Sequence, residues 1–248
     1  MIVQLRKMNV GETTRTMRLD KFLCDCNLGT RSQIKKDIKA GQVTVGGSVV
    51  RKPEQQIIEN TDEITYRGQR CVYEKFVYYM LHKPAGVVSA TEDRRERTVL
   101  DLLGDDRRDD LFPVGRLDKD TEGLLLITND GALAHELLSP AKHVEKEYEC
   151  YLAKAIDEEQ KLQLERGVDI GEKDLTKPAT VHILEDKKIT LTITEGKFHQ
   201  VKRMLHAVGN EVTFLKRIRM GSLKLDPQLL KGHYRRLTAE ECAELLKR

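Results

Sequence analysis

Gly115-Arg116-Leu117-Asp118-Lys119-Asp120-Thr121-Glu122-Gly123-Leu124-Leu125-Leu126-Ile127-Thr128-Asn129-Asp130-Gly131 sets an acidic loop directly against an apolar run. Leu124 to Ile127 read as a buried strand, and Asn129-Asp130-Gly131 turns the chain into a helix expected over Ala132 to Leu138. Asp118 therefore lies on a loop held by packed elements, the placement a working carboxylate needs. Two plainer readings compete. Asp and Thr are common turn formers, so the acids and Thr121 serve equally well as a simple turn. Asp118, Asp120 and Glu122 also match the first half of a calcium loop. That match fails at its twelfth position, where Asn129 stands in place of a bidentate glutamate, and over Leu124 to Ile127, which is too apolar to face a hydrated cation.

Outward from this strand, further strands are expected at Val77 to Leu81, Glu147 to Leu152, Ile189 to Thr194 and Val212 to Ile218. Helices are expected near Glu158 to Arg166 and His199 to Val208. Alternating Ile189, Leu191 and Ile193 mark a strand with one face on a core. Thr238 with Glu241 forms a capping box that opens the last helix. The pattern is α+β.

Upstream, Leu19, Phe22 and Leu23 have helical spacing. A second helix is expected over Ser32 to Ala40, with Ile34 and Ile38 on one face and Gly41 at its end. Valines on either side of Gly46-Gly47 predict a hairpin. Asn60 to Lys75 is polar and irregular. The expected organisation is thus an extension over 1–16, disordered or foreign to the fold with Met17 as a natural start, a small domain over 17–60, a linker over 61–75, and a larger domain over 76–248.

The 248 residues carry 43 Lys+Arg against 40 Asp+Glu, a net charge of only +3. The distribution is uneven. Arg31 to Lys52 holds six basic residues against one acid, and Gly196 to Arg236 holds ten against two. Such segregation suits a polyanion, whose phosphates supply affinity without sequence information. Five cysteines, odd in number and without paired Cys-x-x-Cys spacing, argue for reduced thiols in a cytoplasmic protein rather than a disulfide framework or a zinc site. The sequence has no apolar run of membrane-spanning length, no secretory leader pattern, no phosphate-cradling glycine loop and no His-Glu-x-x-His. Neither a cofactor nor a metal is expected, nor a membrane partner.

Lys83-Pro84-Ala85-Gly86, Gly115-Arg116-Leu117-Asp118 and Glu195-Gly196-Lys197-Phe198-His199-Gln200-Val201-Lys202-Arg203-Met204 resemble the motifs of the RsuA-like pseudouridine synthases, which modify ribosomal RNA. The resemblance implies a curved mixed sheet, mainly antiparallel, in the larger domain. It also implies an alpha-L RNA-binding fold in the small one, with Arg31, Lys35, Lys36, Lys39, Arg51 and Lys52 as RNA contacts. It assigns Asp118 as the catalytic carboxylate, leaving open whether it attacks the base, attacks the ribose or removes a ribose proton. Tyr148, in Lys146-Glu147-Tyr148, is implied as the ring facing a flipped base, and Arg116 as a contact to phosphate or to the flipped nucleotide.

A carboxylate in a cleft that excludes water needs a cation within a few ångström to stay ionised. Lys202 or Arg203 meets that need, and the family pattern favours Lys202. Glu172 to Ala179 resembles a segment of the small-subunit rRNA enzymes, so the implied partner is rRNA of an assembling small subunit, acted on by a monomer. The alternatives are the same reaction on large-subunit rRNA, or a non-catalytic ribosome-assembly factor.

Overall fold

The computed structural model describes residues 16–26, 28–59 and 61–247. They form two compact units that divide between Lys75 and Phe76. Residues 1–15 of the expected extension lie outside the described residues, whereas Thr16 opens the first strand, paired with Ile58.

The first unit contains β1 (Thr16–Arg18), α1 (Leu19–Asp25), α2 (Arg31–Lys39), β2 (Val43–Val45), β3 (Ser48–Val50), β4 (Gln56–Ile58), β5 (Ile64–Tyr66) and β6 (Gln69–Arg70). The Thr30 hydroxyl accepts from the Gln33 amide at 3.3 Å and starts α2. Leu19, Phe22, Leu23, Ile34 and Ile38 pack from the two helices onto Val43, Val50, Ile57, Ile64 and Tyr66. The expected linker is corrected here, because β5 pairs with β2 and both Ile64 and Tyr66 are buried in this core. Arg67 and Gly68, at φ 51° and 80°, turn the chain back so that β6 pairs with β5. Such a hairpin turn normally announces itself by Asn-Gly or Gly-Gly. Arginine at the first position, between very short strands, hides the signal.

The second unit contains β7 (Tyr78–Lys83), β8 (Phe112–Pro113), β9 (Glu122–Thr128), α3 (Gly131–Leu138), β10 (Lys146–Leu152), α4 (Glu158–Arg166), β11 (Thr180–Glu185), β12 (Lys188–Ile193), α5 (Gln200–Ala207), β13 (Val212–Met220), β14 (Leu223–Lys224), β15 (Tyr234–Arg236) and α6 (Ala239–Leu246). The main sheet runs β11-β12-β10-β13-β9-β7-β15, with β14 on β13 and β8 on β9. The expected mixed, mainly antiparallel sheet is the sheet observed. β11 was not expected: it lies at the sheet edge with only Val181 buried, so Ile183 and Leu184 break the inside-outside alternation that would reveal it.

β9 is buried along its whole length because both its faces are covered. Leu125 and Ile127 join one core with Tyr79, Leu81 and α5, while Leu124 and Leu126 join another with Met80 and α3. That is why Leu124 to Ile127 reads as a continuous apolar run rather than an alternating one. β9 meets β13 in parallel through two pairs, Glu122 with Lys216 and Gly123 with Arg217. This short seam joins the β11-β12-β10-β13 half of the sheet to the β9-β7-β15 half. The acidic loop ends at it.

Candidate active site

Asp118 is positioned through its backbone. On its N-terminal side, the buried Ser89 hydroxyl accepts from the Leu117 amide at 3.0 Å and donates to the Leu117 carbonyl at 2.9 Å. Beneath the loop, the fully buried Lys83 ammonium donates to the carbonyls of Asp118 at 2.9 Å, Thr121 at 2.8 Å, Pro84 at 3.1 Å and Lys119 at 3.3 Å. The Thr121 amide closes the turn on the Asp118 carbonyl at 3.1 Å, and the Gly86 amide bonds the Lys119 carbonyl at 2.7 Å. The Lys-Pro-x-Gly strand exit thus braces the loop that carries the carboxylate.

Burial pushes the Lys83 ammonium down to about 8, against the pull of Asp120, Asp118 and Glu122. Between about 8 and its ordinary 10.5 the unfolded chain holds a proton that the folded protein has released, so this group's contribution to stability rises with pH over that window. Loop order should respond in the opposite direction, because a neutral amine has fewer hydrogens to offer the carbonyls. Turnover is therefore expected to fall above pH ~8 while thermal stability does not. A pH–rate profile run beside melting curves checks this, and a rate still rising through that range would contradict it.

The Asp118 side chain meets two groups from the opposite half of the sheet. Lys202 Nζ lies 3.3 Å from Oδ2, and His199 Nε2 lies 3.4 Å from Oδ1. Lys202 also donates to Asp120 Oδ1 at 2.6 Å, which holds the Asp120 carboxyl below its ordinary value. Both groups come from the start of α5, which Val201, Met204 and Leu205 seat in the core beside β9. The pairing therefore bridges the seam.

The open choice between Lys202 and Arg203 is settled as Lys202. Arg203 instead bonds Glu172 at 2.8 Å, the Phe198 carbonyl at 3.0 Å and the Ile170 carbonyl. It lies on the next helical position, about 100° around α5, so a single residue faces Asp118. The calcium-loop alternative also dissolves in the geometry, since Asp120 turns to Lys202 and Glu122 to Lys231 at 2.7 Å. Among the described residues, no group of three or more His, Cys, Asp or Glu side chains is arranged to hold a metal ion. None of the five cysteines is in a disulfide.

Arg116 is exposed, with no partner among the described residues. Tyr148 sits on β10 opposite Arg217 of β13, which is itself opposite Gly123 of β9. Its ring belongs to the core that includes Leu125 and α5 and is 8% exposed. Packing thus claims most of this ring, and Tyr148→Ala is expected to cost ~3 kcal/mol or more in stability through the cavity it leaves. Tyr148→Phe, which keeps the ring, should hold the melting temperature and lose more in turnover than in stability. An alanine variant with an unchanged melting temperature would show that the ring bears no packing role.

From the sequence alone, His199 is expected to be structural or RNA-facing and Asp120 a turn or calcium-loop acid; neither is brought to the Asp118–Lys202 pair, where the structure places them. His199 precedes Lys202 by one helical turn, so the two share a face; that spacing was the available signal. The basic residues of the first unit, Arg31, Lys35, Lys36 and Lys39 on α2 together with Arg51 and Lys52, are all exposed. Lys35 approaches Asp20 at 4.0 Å, and Arg51 donates to the Lys39 carbonyl at 2.9 Å.

A mixed sheet that supports a clamped carboxylate opposite a lysine, in a chain that opens with a small basic domain, describes an enzyme that works on RNA. The chain belongs to the RNA pseudouridylate synthases, whose family model matches residues 77–207, and an S4 domain matches residues 17–61. It is 50% identical to the uncharacterized RNA pseudouridine synthase YtzG of Bacillus subtilis (strain 168), over 91% of this chain and 96% of the relative. Identity to the ribosomal small subunit pseudouridine synthase A of Vibrio cholerae is 44%, and to that of Escherichia coli (strain K12) 40%, each over 93% of this chain and 100% of the relative. A crystal structure of a pseudouridylate synthase, 39% identical, superposes with a TM-score of 0.67 over 93% of this chain and all of that one. The small domain expected from the resemblance is thus an S4 domain, and β5 and β6 continue its sheet beyond the matched residues.

Proposed function

We propose that the protein isomerises a uridine of small-subunit ribosomal RNA to pseudouridine, with Asp118 as the catalytic carboxylate. The supporting observation is the Asp118–Lys202 pair across the seam, on a loop that buried Lys83 fixes by its carbonyls. The substrate assignment is supported by the likeness to the ribosomal small subunit enzymes over nearly the whole chain.

The reaction breaks the bond from ribose C1′ to base N1, rotates the base and joins C1′ to C5. C5 then loses its proton and N1 gains one. Oxidation state is conserved, so the chemistry asks for a positioned carboxylate and a group to move one proton. Lys202 faces one Asp118 oxygen and His199 addresses the other. The target base must leave its stack to reach Asp118. Tyr148 forms a wall of the pocket that receives it, and Arg116, unpaired beside Asp118, meets phosphate or the flipped nucleotide. The protein acts in the cytoplasm, as a monomer, where small subunits assemble.

The S4 domain contributes affinity by neutralising phosphates. Replacing Arg31, Lys35, Lys36 and Lys39 together by glutamine is expected to weaken RNA binding and to flatten its salt dependence by ~0.7 to 0.9 in log–log slope for each phosphate no longer neutralised. Titrations at several salt concentrations measure that slope; one equal to the parent's would turn this face away from RNA. Mapping pseudouridine in rRNA from a strain lacking the gene tests the function itself. Loss of one small-subunit modification is expected, loss of a large-subunit site would move the substrate, and an unchanged map would leave a non-catalytic assembly factor.

A further inference from the structure

Phe198 is 72% exposed, in a turn where the neighbouring groups are held. Its carbonyl accepts from Arg203 at 3.0 Å, and Arg203 is itself anchored by Glu172. The Lys197 amide donates to Gln200 Oε1 at 2.9 Å, and Gln200 donates to Glu195 at 2.7 Å. The Arg203 amide bonds the His199 carbonyl at 3.0 Å. Single exposed apolar residues are common on protein surfaces. This one differs in what it touches: its ring stacks on His199 with centroids 3.7 Å apart and planes 20° apart, and His199 reaches Asp118. His199 holds this position with φ at +48°, a left-handed conformation that non-glycine residues uncommonly adopt. Lys197 precedes the two rings in the chain and donates to the carbonyls of Asp174 and Leu175, while Lys202 turns to Asp118 and Asp120.

We propose that Phe198 and His199 form a stacking platform for the unpaired nucleobase next to the target uridine. This rests on the reading of the protein as a uridine isomerase. A nucleotide that flips out leaves its neighbour with one bare face, and aromatic side chains cover such faces in single-stranded RNA. The outer face of Phe198 is open, so a base placed there continues the Phe198–His199 stack to a third layer, one ring removed from the carboxylate. The platform accepts any base, because each has a π face. Docking of the neighbour then also presses His199 into its place beside Asp118.

The test uses the full-length protein and oligoribonucleotides centred on the mapped uridine, tritiated at C5, with an abasic nucleotide placed on one side or the other. Phe198→Ala is expected to bind the intact RNA roughly ten-fold or more weakly. It should bind one of the two abasic RNAs no worse than the parent protein does, because the partner is already missing. Phe198→Tyr should restore binding and Phe198→Leu should not, since leucine keeps apolar area without a π face. Parent-like binding by Phe198→Ala, full rescue by leucine, or losses from Phe198→Ala and from each abasic site that simply multiply would overturn the platform. The isomerase reading fails separately, if the parent protein releases no tritium from the intact RNA.

Discussion

Asp118→Asn is expected to bind RNA as tightly as the parent protein and to release no tritium from RNA labelled at uridine C5. The amide is nearly isosteric with the carboxylate, yet it has neither the charge nor the basicity that the isomerisation requires. The loop should survive the change, because Asp118 is positioned through its backbone, by Ser89 at Leu117 and by Lys83 at its own carbonyl. Lys202 retains Asp120 as a partner, so no cation is stranded. A loss of at least a thousand-fold in single-turnover rate, with unchanged affinity, is the order of effect seen when the acting group of a preorganised site is removed. Appreciable release by Asp118→Asn would take Asp118 out of the catalytic role.

Gly123→Ala should produce a large loss of stability in the second unit. Gly123 has φ +104°, and a Cβ there would stand 2.2 Å from the Arg217 carbonyl oxygen and 2.8 Å from the Arg217 nitrogen. Both obstacles are backbone, so no rotamer relieves the clash. Moving Arg217 away would open the parallel seam and strain the bond from Arg217 Nε to the Leu124 carbonyl, 2.8 Å long. A loss of ~4 kcal/mol or more is expected, the range reserved for substitutions that a packed structure cannot absorb. Urea unfolding measures it. The same variant should lose turnover in native buffer, because the two halves of the sheet carry Asp118 and Lys202 separately. A stability within ~1 kcal/mol of the parent would mean that the seam is more compliant than its geometry implies.

The loop that carries Asp118 was legible in the chain because local chemistry and tertiary placement coincide there. Gly115 to Asp118 stands before an apolar run that only a strand covered on both faces requires, and Asp130 caps the following helix by accepting from the Leu133 amide at 3.1 Å. The helix boundaries at Glu158–Arg166 and the capping box of Thr238 with Glu241 were equally local, and equally readable. Elements that owe their existence to partners far along the chain left no such trace. β5 has three residues and an arginine in its turn; it is a strand because β2 waits beside it. β11 shows no alternation, and pairs with β12 as the outermost strand.

By itself the sequence determined which residue types this protein has to work with, and where each helix, the β2–β3 hairpin and five strands of the main sheet begin. It specified a carboxylate on a braced loop, two neighbouring cations on one later helix, and a small basic domain ahead of them. Tertiary structure alone decided that Lys202 rather than Arg203 faces Asp118, that His199 joins it, and that Lys83 clamps the loop by its carbonyls. The reason is angular and long-range. Adjacent residues on a helix diverge by about 100°, so the register of α5 against a strand some eighty positions away selects the partner, and no local pattern encodes that register.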